Sequence, residues 1–235
     1  MTLLTICQAA ADQLDLGVPD AIIGSSLPDV RKLLRYANKV GLRLMRAHPW
    51  QVLRAELAFT ATAAELQVAV IPADFDRFIP ETFWDRTNVV LVSGPVSAVE
   101  WQGLKAGSYS DTAYPRFAYR GGDVRILPAP AAVSMAFEYV SNLWCADSGA
   151  TGQTAWAADD DVGVLDEELI TLGVVYEYLR GEGLPFEVAA ADYLDTFNML
   201  TTNDQPNVQI ATAGDIFGPG RHFGGAPTAR SGSIL

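Results

Sequence analysis

A chain of 235 residues with 49% hydrophobic and only 19% charged residues carries enough apolar material for a substantial core, which excludes a disordered or heavily solvated polymer. A net charge of −12 repels phosphate backbones and excludes tight nucleic-acid binding. Low charge density with 10% aromatic residues also fits a surface covered in part by partner subunits, although a large core would account for it too.

The first stretch, 2–14, reads as a helix with Leu3, Ile6, Ala10 and Leu14 on one side, ended by Gly17 and Pro19. It lacks the basic leader and long apolar run of a secretory signal, and no segment approaches the ~18 apolar residues that a membrane span needs. The second stretch, 28–50, is the one around which the other elements are expected to be arranged. Val30, Leu33, Leu34, Ala37, Val40, Gly41, Leu44 and Met45 recur at the spacing of one helical face. Ser25 and Ser26 are possible caps, Pro28 and Asp29 suit the first turn, and Pro49 stops the helix at His48. A short connection to the first helix predicts an antiparallel pair.

On the opposite face stand Arg31, Lys32, Arg35, Lys39, Arg43 and Arg46, six of the sixteen basic residues. The plain reading is a solvated face. The functional one is a docking surface for an acidic partner, or for an acidic neighbouring copy of the same chain, with charge setting register more than affinity.

After Trp50 the texture becomes β-rich. Residues 52–60 and 65–70 tend to alternate, 71–80 is framed by two prolines and reads as extended or turn-like, and 88–93 reads as a strand. Residues 95–105 look helical and 107–115 look like a loop. The clearest hairpin is 116–120 and 123–127 around Gly121–Gly122, followed by a strand over 133–140. Residues 142–161 read as loop. Helix returns at Asp166 with Leu165, Leu169, Leu172, Tyr176 and Leu179 on one stripe and further apolar residues around much of the rest, the pattern of a helix buried on several sides. Gly181 and Gly183 end it, and Pro185 opens a last helix with Phe186, Ala189, Ala190, Tyr193, Phe197 and Leu200 on its apolar face. Beyond 203 the chain is rich in glycine and proline and carries Arg221, His222, Phe223 and Arg230.

No catalytic constellation emerges. His48 and His222 are the only histidines and lack the partners that a zinc site or a catalytic triad requires. No glycine cluster is followed by the Lys–Ser/Thr of a phosphate loop. Asp159–Asp160–Asp161 and Asp166–Glu167–Glu168 lack the spacing of a calcium loop and read as a solvated acidic loop entering a helix N-terminus. Trp84, Trp101, Trp144 and Trp156 could line a sugar site beside paired carboxylates, but suit core or interface positions better. Cys7 and Cys145 read as reduced and structural. No catalytic residue, metal ligand or cofactor is therefore expected.

Several stretches in order resemble the head-to-tail adaptor proteins of tailed bacteriophages. The opening LLTICQAAADQLDLGVPDAIIGSSLPDVRKLLRYANKVGLRLMRAHPW is similar to the adaptor's start, a helix and then a long helix ending at a tryptophan. IPADFDRFIPETFWDRT, GPVSAVEWQGLK, YRGGDVRILPAP and FEYVSNLWC follow, and LDEELITLGVVYEYLRGEGLPFEVAAADYLDTFNML is similar to the family's closing helix pair. The likeness covers roughly residues 2–202. It implies a non-enzymatic virion protein of the neck, made in the host cytoplasm, forming a homo-oligomeric and twelve-fold ring. Such a ring docks on the portal protein, receives a tail or nozzle protein, and passes DNA only as non-specific cargo, without a membrane partner. The rival readings are a tail-completion or tail-tube end protein and a carbohydrate-binding or carbohydrate-cleaving tail component.

The expected fold is α+β. A helical bundle from 1–50 and 163–202 carries an antiparallel β-rich insertion over 51–141, a loop over 142–162 and an extended C-terminal arm over 203–235. Interface residues are expected at Arg31, Lys32, Arg35, Lys39, Arg43 and Arg46, and in the arm at Arg221, His222, Phe223 and Arg230.

Overall fold

The first helix, α1 (Leu3–Gln13), starts at a reciprocal capping box. The Thr2 hydroxyl accepts from the Thr5 N–H, and the Thr5 hydroxyl accepts from the Thr2 N–H at 2.8 Å. The computed structural model describes residues 2–107 and 114–204. It shows a mixed α+β protein, whose described helical and β-rich parts belong to one compact unit, Met1–Asp204.

Helix α2 (Pro28–Ala47) places proline at its first turn, where the missing N–H has no intrahelical partner to lose. Leu27, rather than Ser25 or Ser26, occupies the cap position, and no side chain caps it; the Ser25 hydroxyl accepts from the Leu27 N–H instead. His48, in extended geometry before Pro49, ends the helix as expected. Helix α3 (Ala98–Ala106) is capped by Ser97. Helix α4 (Glu167–Glu182) is capped by the Asp166 carboxylate, which accepts from the Leu169 N–H at 2.8 Å, and ends at Gly183 in left-handed geometry (φ 71°). Helix α5 (Glu187–Asp204) closes the described chain.

The hub of the helices is α4, not α2. Helices α1, α2 and α5 all pack against α4, whereas α1 meets α2 less extensively. The physical reason is the distribution of apolar residues. Helix α2 has one apolar face to bury, while α4 buries Leu169, Ile170, Val174, Val175 and Tyr178, which no single neighbour could cover. Close approach of α2 to α4 depends on Gly173, where a Cβ would stand 2.6 Å from a Val40 methyl. Gly41 likewise admits the Trp144 ring against the backbone of α2.

Strands β1 (Arg54–Thr60), β2 (Leu66–Gln67), β3 (Phe75–Phe78), β4 (Trp84–Asp85), β5 (Val90–Leu91), β6 (Arg116–Arg120), β7 (Asp123–Leu127) and β8 (Ser134–Ser141) form two antiparallel sheets. In the larger sheet β8 is central. It pairs with the whole of β1, from Arg54↔Val140 to Thr60↔Ser134, and on its other edge with β3 and then β4. The smaller sheet is β2–β7–β6, built on the predicted hairpin, whose Gly121 and Gly122 both take the positive φ that such a tight turn requires. The two sheets close on an aromatic core in which Phe78 and Phe83 meet Phe117 and Phe137 at centroid distances of 4.9–5.3 Å. A separate core joins the helices to Val140, Trp144, Cys145 and Trp156.

Three expectations are corrected. The strand expected over 88–93 is only Val90–Leu91. The 142–162 loop contains β9 (Cys145–Ala146) and β10 (Gly152–Gln153), which with β11 (Val162–Gly163) make a third small sheet. Nor is the acidic triplet simply solvated. The Asp161 carboxylate is buried and accepts from the Ala157 and Ala158 N–H groups at 2.6 and 2.8 Å, while the Asp159 carboxylate holds the N–H groups of Ile22 and Ile23. Backbone carbonyls of the same two residues accept from Leu4 and Leu3 at the start of α1. The triplet is a tie between segments distant in sequence.

Candidate functional site

The six basic residues of α2 do not form one surface. At about 100° of rotation per residue they fall into two adjacent stripes. Lys32, Lys39 and Arg43 lie on the edge facing α4. The Lys39 ammonium stands 2.7 Å from Glu177 Oε2, and the Arg43 guanidinium bonds Glu177 Oε1. Arg180 adds a third cation at 3.9 Å. Glu177 is 2% exposed, so two or three cations hold a buried carboxylate between helices. Lys32 pairs with Glu182 at 2.9 Å and with Asp29 at 3.4 Å. Those bonds, chiefly the one from Glu182, push its ammonium above the ordinary lysine range. These three cations knit α2 to itself and to α4.

Arg31, Arg35 and Arg46 form the other stripe. All three are exposed, and their guanidinium groups have no hydrogen-bonding or ionic partner among the described residues. Leu42, 37% exposed, lies on the same line. Three guanidinium groups and one leucine are therefore presented outward by a helix whose other sides are occupied. Sequence reasoning missed Glu177. Its one signal was a lone acid within the apolar run VVYEYL of α4, which needs a cation wherever that face is covered.

His48 is bonded to Asp204 at 3.0 Å, and the Gln51 N–H donates to the same carboxylate at 3.1 Å. Together they tie the end of α5 to the end of α2. Arg221, His222, Phe223 and Arg230 lie outside the described residues. Among the tryptophans, Trp101, Trp144 and Trp156 are buried in cores, and Trp50 donates its ring N–H to the Leu44 carbonyl at 2.7 Å. Trp84 differs: it is 41% exposed on the outer face of the larger sheet.

Around Trp84 lies a groove of about 420 Å³ lined also by Glu56, Glu81, Asp85, Arg86 and Glu138. Its floor follows from strand register. Trp84 stands opposite Ala136, and two residues along β8 Glu138 stands opposite Glu56. Like charges facing each other across a sheet are unfavourable. Arg86 relieves one of them, at 2.8 Å from Glu56. Asp85 is used internally, accepting from the Thr87 and Asn88 N–H groups at 2.9 Å. Glu81 and Glu138 have no cationic partner among the described residues. The groove can thus receive a flat, positively charged or multiply hydrogen-bonding group against an indole face.

Cys7 and Cys145 are free and fully buried. Burial, with the charges of Asp159 and Asp161 respectively, pushes both thiols up to about 12, so neither supplies a thiolate near neutral pH. Among the described residues no group of three or more His, Cys, Asp or Glu side chains is placed to hold a metal ion, and no helix is long and apolar enough to cross a membrane. No protein-family model matches the chain, and no curated protein matches it either.

Proposed function

We propose that this protein is a structural connector of a tailed-bacteriophage virion, a subunit of the head-to-tail adaptor ring that joins the portal to the tail and lines part of the DNA passage. The observation that carries this reading is the outward stripe of Arg31, Arg35 and Arg46, three guanidinium groups without a partner among the described residues, in a chain of net charge −12. Such a stripe on an acidic molecule favours contact with an acidic protein surface, of which further copies of the same chain are the nearest supply. Repeated around an axis, a head-to-tail contact of that kind closes a ring. The ordered likeness of residues 2–202 to the adaptor family supports the same reading. So does an overall acidity that lets DNA slide without being gripped.

In this reading the finer architecture is a helical bundle carrying a β-rich insertion, with the residues after α5, 205–235, as an extended arm. Arg221, His222, Phe223 and Arg230 meet the portal or an adjacent subunit. The protein has no catalytic role and resides in the virion neck, with the portal and a tail or nozzle protein as partners.

Electron microscopy of the purified protein, alone and mixed with portal, tests this directly and is expected to show rings. Arg31→Glu with Arg35→Glu should abolish ring formation while leaving unfolding free energy within about 0.5 kcal/mol of the parent, because both side chains are exposed and have no partner among the described residues. Rings of unchanged yield in that variant would remove the stripe from the contact. Ring symmetry and the identity of the neighbours separate the adaptor from a tail-completion or tail-tube end protein.

A second reading has a specific observation in its favour. The groove places Glu56, Glu81 and Glu138 beside an exposed Trp84, the combination a carbohydrate-binding tail component would use. Retention of the protein on immobilised glycans, lost in Trp84→Ala, would support it.

A further inference from the structure

We infer that the Trp84 groove is the receiving half of a contact between copies, and that it takes the arginine stripe of α2 from a second copy of this chain. The inference rests on the ring reading above and specifies it, naming the surface into which the stripe docks. Two unsatisfied halves of opposite charge exist on one molecule. On one side are the guanidinium groups of Arg31, Arg35 and Arg46, with no partner among the described residues. On the other are Glu81 and Glu138, likewise without a cation among the described residues, in a groove whose four carboxylates share, among its described lining residues, a single arginine, Arg86.

The chemistry of the groove favours guanidinium over other cations. An indole face that is 41% exposed offers a stacking surface, and a planar guanidinium can lie on it while its N–H groups reach carboxylates at the rim. A lysine ammonium or a metal ion would use the carboxylates but not the ring. Arrival of an arginine also relieves the Glu56↔Glu138 opposition on the sheet, which Arg86 addresses only on the Glu56 side. The apolar part of the contact is supplied by Leu42 on the stripe and Val89 at the groove, 37% and 76% exposed. Because donor and acceptor surfaces differ, the contact is heterologous, and each copy can give one stripe and receive another.

A mixing experiment with the full chain tests this. The groove variant carries Glu81→Gln and Glu138→Gln; the stripe variant carries Arg31→Glu and Arg35→Glu. In sedimentation velocity the parent is expected to form oligomers that weaken with added salt. Each variant alone is expected to lose affinity by on the order of 100-fold or more. An equimolar mixture should form a 1:1 dimer that grows no further, since the groove variant keeps its stripe and the stripe variant keeps its groove. That dimer also shows that both variants fold. Acrylamide quenching gives a second readout, because the other four tryptophans are at most 6% exposed and Trp84 dominates the accessible signal. Association should shield it.

Self-association of the groove variant equal to the parent's, with the stripe variant monomeric, overturns the groove assignment and leaves the ring reading standing. A parent chain that stays monomeric alone and with portal overturns both. Shielding of Trp84 by an oligosaccharide, with the groove variant still oligomeric, assigns the groove to carbohydrate and overturns the inference.

Discussion

Glu177 and Glu138 each sit in the middle of an otherwise apolar element, and the fold treats them in opposite ways. Glu177, on α4, is 2% exposed and is held by Lys39 and Arg43 reaching across from α2. Glu138, on β8, is partly covered, faces another glutamate across the strand pair, and has no cation of its own among the described residues. The difference separates internal architecture from outward function. A buried carboxylate must be paired within the molecule or the helix pair will not close, whereas a partly wetted one can wait for a partner. The same division runs along α2, whose Lys39 and Arg43 serve the fold while Arg31, Arg35 and Arg46 remain available.

The strongest way to break this comparison is to remove the cations of Glu177. Lys39→Met with Arg43→Met leaves a buried carboxylate with only the distant Arg180, and should cost about 3 kcal/mol in denaturant unfolding. A loss below about 1 kcal/mol would mean that Glu177 is not held as the structure shows. Next comes the fit of the Trp144 ring against the backbone of α2. Gly41→Ala puts a methyl into the Trp144 ring and should cost about 2–3 kcal/mol, read as a melting temperature lower by roughly 6–10 °C.

Alkali probes the helical core through its thiols. Both cysteines keep their protons in the folded state up to about 12, while in the unfolded chain they ionise from about pH 9. Above that pH the unfolded state binds fewer protons, so stability is complete below pH 9 and falls between pH 9 and 12, by about 1 kcal/mol per thiol at pH 10. Cys7→Ala with Cys145→Ala should flatten that slope in pH-dependent unfolding. The smallest effect belongs to Glu138. Glu138→Gln removes a like-charge opposition and should raise stability by a few tenths of a kcal/mol. A marked loss of stability would show that Glu138 serves the fold after all.

Much of the local structure was legible. The recurrence of Val30, Leu33, Ala37, Val40 and Leu44 predicted α2, and the Gly121–Gly122 pair predicted the β6–β7 hairpin, because both signals act between residues close in sequence. The pairing of β1 with β8 was not legible. Some eighty residues separate Arg54 from Ser134, and alternation in each strand says which face is apolar but not which strand lies alongside. Short strands such as β9 and β10 carry too few residues to show any period. Asp161 read as a solvated acid because burial depends on what folds over it, here the N–H groups of its own loop.

The candidate surfaces divide in the same manner. The sequence alone determined that α2 would carry an apolar face and a basic one, since helical geometry follows from residue spacing. Only the tertiary structure decided that one stripe of the basic face is consumed by Glu177 and Glu182 while the other has no partner among the described residues. It alone decided that Trp84, of five tryptophans, stands in the open beside two glutamates that have no cation among the described residues. The reason is that charge satisfaction depends on distance in space, and the partners here come from elements far apart along the chain.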